Sequence, residues 1–319
     1  MALSKPTGPE PVVLVTSGLH GVEGFVGSAV QLAALANCSA DGVRFAFVHA
    51  VNPFGFAHIR RWDEFNVDLN RNFRLDGEAF AGAPPHYARL DGLMNPKSPP
   101  RWIDTFPYFA AWQILLHGLP PMRQAIAAGQ YEYPCGLFFG GRGPSPVQLI
   151  LRDQLRAWLG DARRVVHLDF HTGLGAFGTY KLLLDSPLTT DQRKRAEDWF
   201  GADALEASRM DGVAYESHGG FGPWCMAQLP HCDYLFLCAE FGTYGNVPVV
   251  GGLRAENRAH HWGNGPADPR TIKAKARLKE LFCPESPEWR AKVLADGVNL
   301  IRRAADGLRS IGVHGAAAS

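Results

Sequence analysis

Short apolar runs alternate along this chain with longer amphipathic stretches. Residues 12–16 form a β-branched run that stops at Ser17 and Gly18, the pattern of a buried strand meeting a turn. Residues 23–36 follow with a broad apolar face and a start of small residues, and predict a helix. Residues 43–48 read as a second strand, closed by Asn52-Pro53. Residues 148–159 read as a helix, and 165–170, 180–184 and 234–239 as further strands. From Leu253 onward the periodicity is helical, including a long amphipathic helix over 288–308. Strands separated by helices predict an α/β sandwich whose parallel or mixed sheet is covered on both faces.

One stretch breaks the alternation. Residues 74–146 carry Pro84-Pro85, Pro99-Pro100, Pro120-Pro121 and Gly140-Gly141, and predict an elaborated insertion of loops with one or two short helices. Its periodicity is too weak for an independent core, so the expectation is a single domain over 1–319. With 319 residues and 46% hydrophobic content the chain can bury a substantial core. The 32 basic and 31 acidic residues leave a formal charge of +1, which gives no electrostatic reason for a nucleic-acid or membrane-surface partner. The opening residues hold no apolar core of signal-peptide length, and no apolar stretch reaches about 18 residues. The six cysteines form no CxxC pair. They read as reduced, mostly buried thiols of a cytoplasmic protein, and a homo-oligomer is compatible with the sequence.

Four constellations carry chemistry. His20-Gly21-Val22-Glu23 directly follows the first strand, at the end of the sheet where α/β proteins place ligands. Either its imidazole and carboxylate share a borderline cation such as zinc, or Glu23 simply occupies a helix N-terminus. In His167-Leu168-Asp169-Phe170-His171, the period of two puts His167, Asp169 and His171 on one face. His171, nearest the exit, would complete a His/Glu/His set, Asp169 would orient a ligand, and His167 reads better as a buried structural histidine. Asn70 and Arg71 offer a donor and a planar fork for a substrate carboxylate. Arg60 and Arg61, after Asn52-Pro53, either stabilise a developing oxyanion or form surface ion pairs. Glu240 ends an apolar run, so it is either salt-bridged or a general base set by partial burial.

Taken in order, these motifs resemble the zinc carboxypeptidase superfamily, which includes the aspartoacylase and succinylglutamate desuccinylase deacylases. The chain looks most like a bacterial branch of it known only as a domain of unknown function. TSGLHGVEGFVGS, VNPFGFAHIRRWDEFNVDLNRNF, YPCGLFFGG, HLDFHTGLG, AEFGTYG and GLRAENRAHHWG carry the resemblance, from Thr16 to Gly263. It implies one zinc ion held by His20, Glu23 and His171, with Glu240 as general base. It implies Asn70 and Arg71 as the carboxylate-binding pair and Arg61, with Arg60 as fallback, as the oxyanion-stabilising arginine. The family's mobile tyrosine falls on Tyr215 or Tyr244. The implied fold is a mixed, mostly parallel sheet of about eight strands flanked by helices on both faces, of phosphorylase/hydrolase-like architecture. The implied activity is zinc-dependent hydrolysis of an amide bond in a small molecule or peptide with a free carboxylate, of metallocarboxypeptidase or N-acyl amino acid deacylase type. The other readings are a non-catalytic metal- or ligand-binding relative and a hydrolase of another amide or ester.

Overall fold

In the computed structural model of the chain, residues 2–3, 10–38, 41–118, 128–207 and 219–316 are described. The strands are β1 (Ala2–Leu3), β2 (Val12–Ser17), β3 (Arg44–Val48), β4 (Arg164–Thr172), β5 (Tyr180–Leu184), β6 (Leu205–Ala207) and β7 (Asp233–Phe241). They form one seven-stranded sheet in the order β1-β3-β2-β4-β7-β5-β6, against the eight or so expected. Neighbours are parallel except for the β1/β3 and β5/β7 pairs, so the sheet is mixed and mostly parallel. The apolar runs at 165–170 and 234–239 lie within longer strands, and β7 carries Glu240 inside its last turn of pleat.

Helices cover both faces because the strand residues are apolar on both. On one side, α1 (Gly24–Asn37) brings Val26 and Val30 against Val13, Val15, Leu168 and Phe170. The chain then forms α2 (Pro53–Ala57), whose Phe56 meets Phe25 of α1, and next α3 (Tyr87–Met94) and α4 (Phe106–His117); the other face is covered by α5 (Pro146–Leu159). The α5 residues Leu151, Leu155 and Leu159 recur every fourth position and pack on Val12, Leu14 and Phe236. Ser145 caps that helix by accepting from Gln148 N, and Pro146 takes the first helical position. After β5, α6 (Thr190–Phe200) starts with a capping box between Thr189 and Gln192. Next come α7 (Phe221–Gln228), α8 (Asn246–Trp262), α9 (Pro269–Phe282) and the long α10 (Pro287–Ala316). The last returns to the α1 side, where Leu300 and Ile301 are fully buried.

The stretch 74–146 contributes two helices among the described residues, α3 and α4. Among the described residues it does not form a core of its own. Leu90, Met94, Phe106 and Phe138 join Val249 and Leu253 of α8 and Leu278 and Leu281 of α9 in a third apolar cluster. That cluster stands beyond the C-terminal ends of the parallel strands and roofs the site described below. The cysteines depart from expectation. None is paired, but only Cys225 and Cys238 are buried, while Cys38, Cys232 and Cys283 are half-buried and Cys135 is exposed. Cys38 and Cys283 end helices α1 and α9, and Cys135 lies in a loop, so these positions are not core positions. Among the described residues no helix is long and apolar enough to cross a membrane.

His167 sits at the centre of the sheet with no exposure. Its Nε2 lies 2.8 Å from Thr16 Oγ1 and its Nδ1 3.0 Å from Tyr234 Oη. Phe221 and Phe236 meet it edge-on. Burial holds its pKa down at about 4, so the ring folds neutral. An unfolded chain takes up the proton near the ordinary value of 6.5. The stability tied to this neutral ring is therefore present above pH 6.5 and lost as the pH falls toward 4. Urea unfolding at pH 7 and pH 4.5 should show a loss on the order of 3 kcal/mol that is largely absent in His167→Gln. Equal pH dependence in both proteins would show that the ring is not buried neutral.

Candidate functional site

The turn after β2 places the first two site residues. Gly18 takes a φ of 67°, in the left-handed region that glycine tolerates. Gly21 opens a 3₁₀ turn, Gly21–Glu23, packed so tightly on α2 that a Cβ there would lie 2.0 Å from the Gly55 carbonyl carbon. Val22 N donates to Arg60 O at 2.8 Å and fixes the turn to the chain that follows α2. His20 and Glu23 therefore project back over the sheet end, where β4 delivers His171. In the parallel register His171 pairs with Glu240 of β7, and Thr16 with Asp169.

The three side chains converge through particular atoms. His20 Nδ1 lies 2.8 Å from Glu23 Oε1, and His171 Nδ1 lies 3.0 Å from Glu23 Oε2. Each imidazole has a carboxylate behind it: Asp68 Oδ1 is 3.3 Å from His20 Nε2, and Asp169 Oδ2 is 2.6 Å from His171 Nε2. Asp169 Oδ1 is held in turn by Thr16 Oγ1 at 2.5 Å. The His171–Asp169 hydrogen bond fixes the tautomer that leaves His171 Nδ1 free as a ligand, whereas the nearest neighbour of His20 Nε2 is Arg61 Nη2 at 2.7 Å. Two imidazoles and one carboxylate on one side, open to a cavity on the other, are the donor set of a catalytic zinc site. These ligand atoms all lie within 4.8 Å of one another, and the residues are buried. The residues present thus fit the metal that the resemblance implies.

The electrostatics agree with a site built for a cation. Burial pushes the Glu23 carboxyl up, but the facing His20 and His171 outweigh it and hold it far below the ordinary carboxylate range. Asp68 is held low in the same way by Arg61 and His20 against the cost of burial. Burial disfavours a charge on His171, yet Asp169 and Glu23 raise its pKa well above the usual value.

Glu240 lies beside this trio, in a second buried group with His171 and Cys238 whose ligand atoms are within 4.8 Å of one another. Burial, and then the charge of Glu23, raise its pKa to about 8, and its Oε1 accepts from Leu174 N at 2.9 Å. Around it lies a cavity of about 160 Å³ that His20, Glu23, Arg61, Asn70, Arg71 and His171 also line. Arg61 donates from Nε to Asp68 Oδ2 at 2.8 Å, and its Nη2 lies 2.7 Å from His20 Nε2. When His20 Nδ1 serves as a ligand, Nε2 carries the proton, and Arg61 is left to Asp68 and Glu23. Asn70 Oδ1 accepts from Phe221 N at 3.0 Å, and Arg71 Nη1 donates to the Asn70 carbonyl at 2.6 Å.

The structure separates other residues from this group. Arg60 points away, fully buried, donating from Nε to Glu256 Oε1 at 3.0 Å and from Nη2 to Asn66 Oδ1 at 2.9 Å. His167 is the structural residue described above. Tyr244 gives its hydroxyl to Glu280 and is not among the cavity residues. Tyr215 lies outside the described residues. Three features of the site escaped the sequence reading. Asp68, in the NVDLNRNF motif beside Asn70 and Arg71, stands behind His20 and does not line the cavity. Asp185, directly after β5, and Cys238 do line it. Asp185 follows the apolar run Leu182-Leu183-Leu184, the signal that singled out Glu240, and could have been found by it.

The three layers and a cavity at the strand ends, with a His/Glu/His group in its floor, define an α/β protein with a candidate metal site. The family described as "Protein of unknown function (DUF2817)" matches residues 1–296, and the chain belongs to that family. No curated protein matches. Among solved structures, carboxypeptidase A from Helicoverpa armigera is 16% identical with a TM-score of 0.43, over 85% of this chain and 61% of that one. Succinylglutamate desuccinylase from Chromobacterium violaceum is 15% identical with a TM-score of 0.39, over 87% of this chain and 62% of that one. Murein-tripeptide amidase MpaA from Escherichia coli O157 is 19% identical with a TM-score of 0.39, over 85% and 82%. The chain spans about three fifths of the length of the first two.

The Asp169 contact gives a direct test. Asp169→Asn keeps the shape but removes the charge that orients His171, and zinc affinity should fall about 10- to 100-fold. Competition with a chromophoric chelator measures this, with circular dichroism to check the fold. An affinity equal to that of the parent would show that Asp169 does not support a ligand.

Proposed function

We propose that this chain is a zinc-dependent hydrolase of an amide bond in a substrate with a free carboxylate, of metallocarboxypeptidase or N-acyl amino acid deacylase type. The observation that carries the reading is the convergence of His20 Nδ1, His171 Nδ1 and both Glu23 oxygens beside the separately held Glu240. His20, Glu23 and His171 would hold the metal. Bound there, zinc supplies Lewis acidity toward the amide carbonyl and lowers the pKa of the attacking water. A single catalytic domain spans the chain.

The protein's own groups divide the remaining work. Glu240 Oε1 is fixed by Leu174 N, which leaves the carboxylate oriented to take a proton from the attacking water and pass it to the leaving nitrogen. Its raised proton affinity suits the second transfer, because a carboxylate of ordinary pKa is a poor acid toward an amine near neutral pH; positive charge bound at Glu23 would bring it down toward the deprotonated form that the first transfer needs. Asn70 and Arg71 bind the substrate carboxylate, which sets the scissile bond beside an acid end. Arg61 adds positive charge at the cavity floor, where a tetrahedral oxyanion develops. Asp68 and Asp169 keep the imidazoles in place and touch no substrate. A purely metal-binding relative has no use for Glu240 in this position.

The test is a hydrolysis screen of zinc-loaded protein on peptides with free C-termini and on N-acyl amino acids. Glu240→Gln should bind zinc as the parent does and lose at least about 100-fold in kcat. Turnover at the parent rate would remove Glu240 from the base role. Arg71→Lys should raise KM for an acid-ended substrate about tenfold with a smaller change in kcat, because the bidentate fork is lost. An unchanged KM would assign Arg71 elsewhere.

A further inference from the structure

The cavity has two unlike walls. One carries Asn70, Arg71 and Asp185, with Leu183 and Cys238 of the sheet beneath; those two belong to the apolar core under α5 and α7. The other is mostly apolar and comes from elements outside the sheet: Met94 of α3, Phe106, Ala110 and Ile114 of α4, and Val249 and Leu253 of α8, with Gln113 of α4 and Asn246 of α8 the polar side chains among them. Met94, Phe106, Val249 and Leu253 belong to the separate roof cluster. The α4 residues recur at four-residue steps, so one stripe of this helix faces the cavity. Gly251 of α8 lies close enough to Phe106 that a Cβ there would sit 3.4 Å away, so the two helices close the wall together. No charged side chain of α3, α4 or α8 is among the cavity residues.

We infer that this wall is an acyl-chain subsite, and that the substrate is an N-acyl amino acid whose acyl group is a medium-length apolar chain. The inference rests on the amide-hydrolase reading above. Once Asn70 and Arg71 hold the carboxylate, the leaving amine lies on their wall. The acyl part must then leave the scissile carbonyl in the other direction, toward α3, α4 and α8. An acetyl group would leave that wall against water, whereas each methylene laid on it is removed from water and tightens binding about fourfold. The reaction balances with water alone: the C–N bond breaks, the acyl carbon gains a hydroxyl, and the amine leaves with the proton Glu240 delivers.

N-Acetyl-, N-butanoyl-, N-hexanoyl- and N-octanoyl-alanine serve as probes. Binding is measured by calorimetry on zinc-loaded Glu240→Gln protein, which does not consume them, and cleavage on the parent. Affinity should rise about three- to fourfold per methylene, so that hexanoyl exceeds acetyl by about a hundredfold. Ala110→Trp, which fills the wall, and Ile114→Asn, which makes it polar, should each cut the hexanoyl-to-acetyl ratio to below about tenfold. The ratio is internal to each variant, so partial misfolding does not move it. A flat or falling ratio in the unaltered wall, with N-acetylalanine still cleaved, overturns the acyl subsite and leaves the hydrolase reading standing. A rising ratio that survives both substitutions also overturns it, since the chain then lies elsewhere. A rising ratio with no cleavage of any probe or peptide overturns the hydrolase reading, and with it the assignment of the wall to an acyl group.

Discussion

A single buried carboxylate organises this protein. Glu23 receives His20 at one oxygen and His171 at the other, with Thr172 N donating to the second at 3.0 Å. Leaving such a charge uncompensated at 2% exposure would cost several kcal/mol. The compensation requires the turn after β2, the end of β4 and the chain around Arg61 to meet at one point. The close packing of Gly21 on Gly55 and the hydrogen bonds from residues 21 and 22 to residues 60 and 61 serve that meeting. Behind the first ring of groups, Asp68 and Asp169 repeat the pattern of charge answered by hydrogen bond. The sheet supplies the fixed distances: parallel β2, β4 and β7 bring Thr16, Asp169, His171 and Glu240 to the same edge in register.

The roof over that edge follows a different logic. The helices α3, α4, α8 and α9 meet in an apolar cluster with Val22 and Trp62, and its Phe282 accepts at the main-chain oxygen from Thr172 Oγ1 at the end of β4. One stripe of α4 faces the cavity, while Tyr108, Phe109, Trp112 and Leu115 on its other sides are 79%, 56%, 57% and 77% exposed. The floor is polar, charged and crowded with hydrogen bonds, and the roof has almost none to offer.

Much of this was legible in the sequence because the strands are buried on both faces and read as plain apolar runs. The runs at 12–16, 165–170, 180–184 and 234–239 fall in β2, β4, β5 and β7. The two-residue β1 and three-residue β6 are too short to show any period. The helix α7, FGPWCMAQ, mixes glycine and proline with aromatics and carries no helical stripe, and α6 buries only Gln192, Ala196 and Phe200 of a polar sequence. In the site, the residues alone left His20, Glu23, His171 and Glu240 with two readings each, and the order of their motifs along the chain, through the resemblance it carries, singled them out. Asp68 was not singled out, since its role depends on a contact with His20 that no local pattern announces. Arg60 and Arg61 are adjacent in sequence, and only the fold shows that one turns to Glu256 and the other to Asp68. The apolar wall was invisible for the same reason: the stretch 74–146 shows its purpose only once it packs against α8.

The proposed chemistry requires His20, Glu23 and His171 to act together on one ion. The direct measurement is metal analysis of the purified protein combined with anomalous diffraction from zinc-soaked crystals at the zinc absorption edge. One zinc per chain, with its anomalous peak about 2 Å from His20 Nδ1, His171 Nδ1 and a Glu23 oxygen, is the result the account predicts. A protein that takes up no zinc, or binds it away from these three residues, would contradict it.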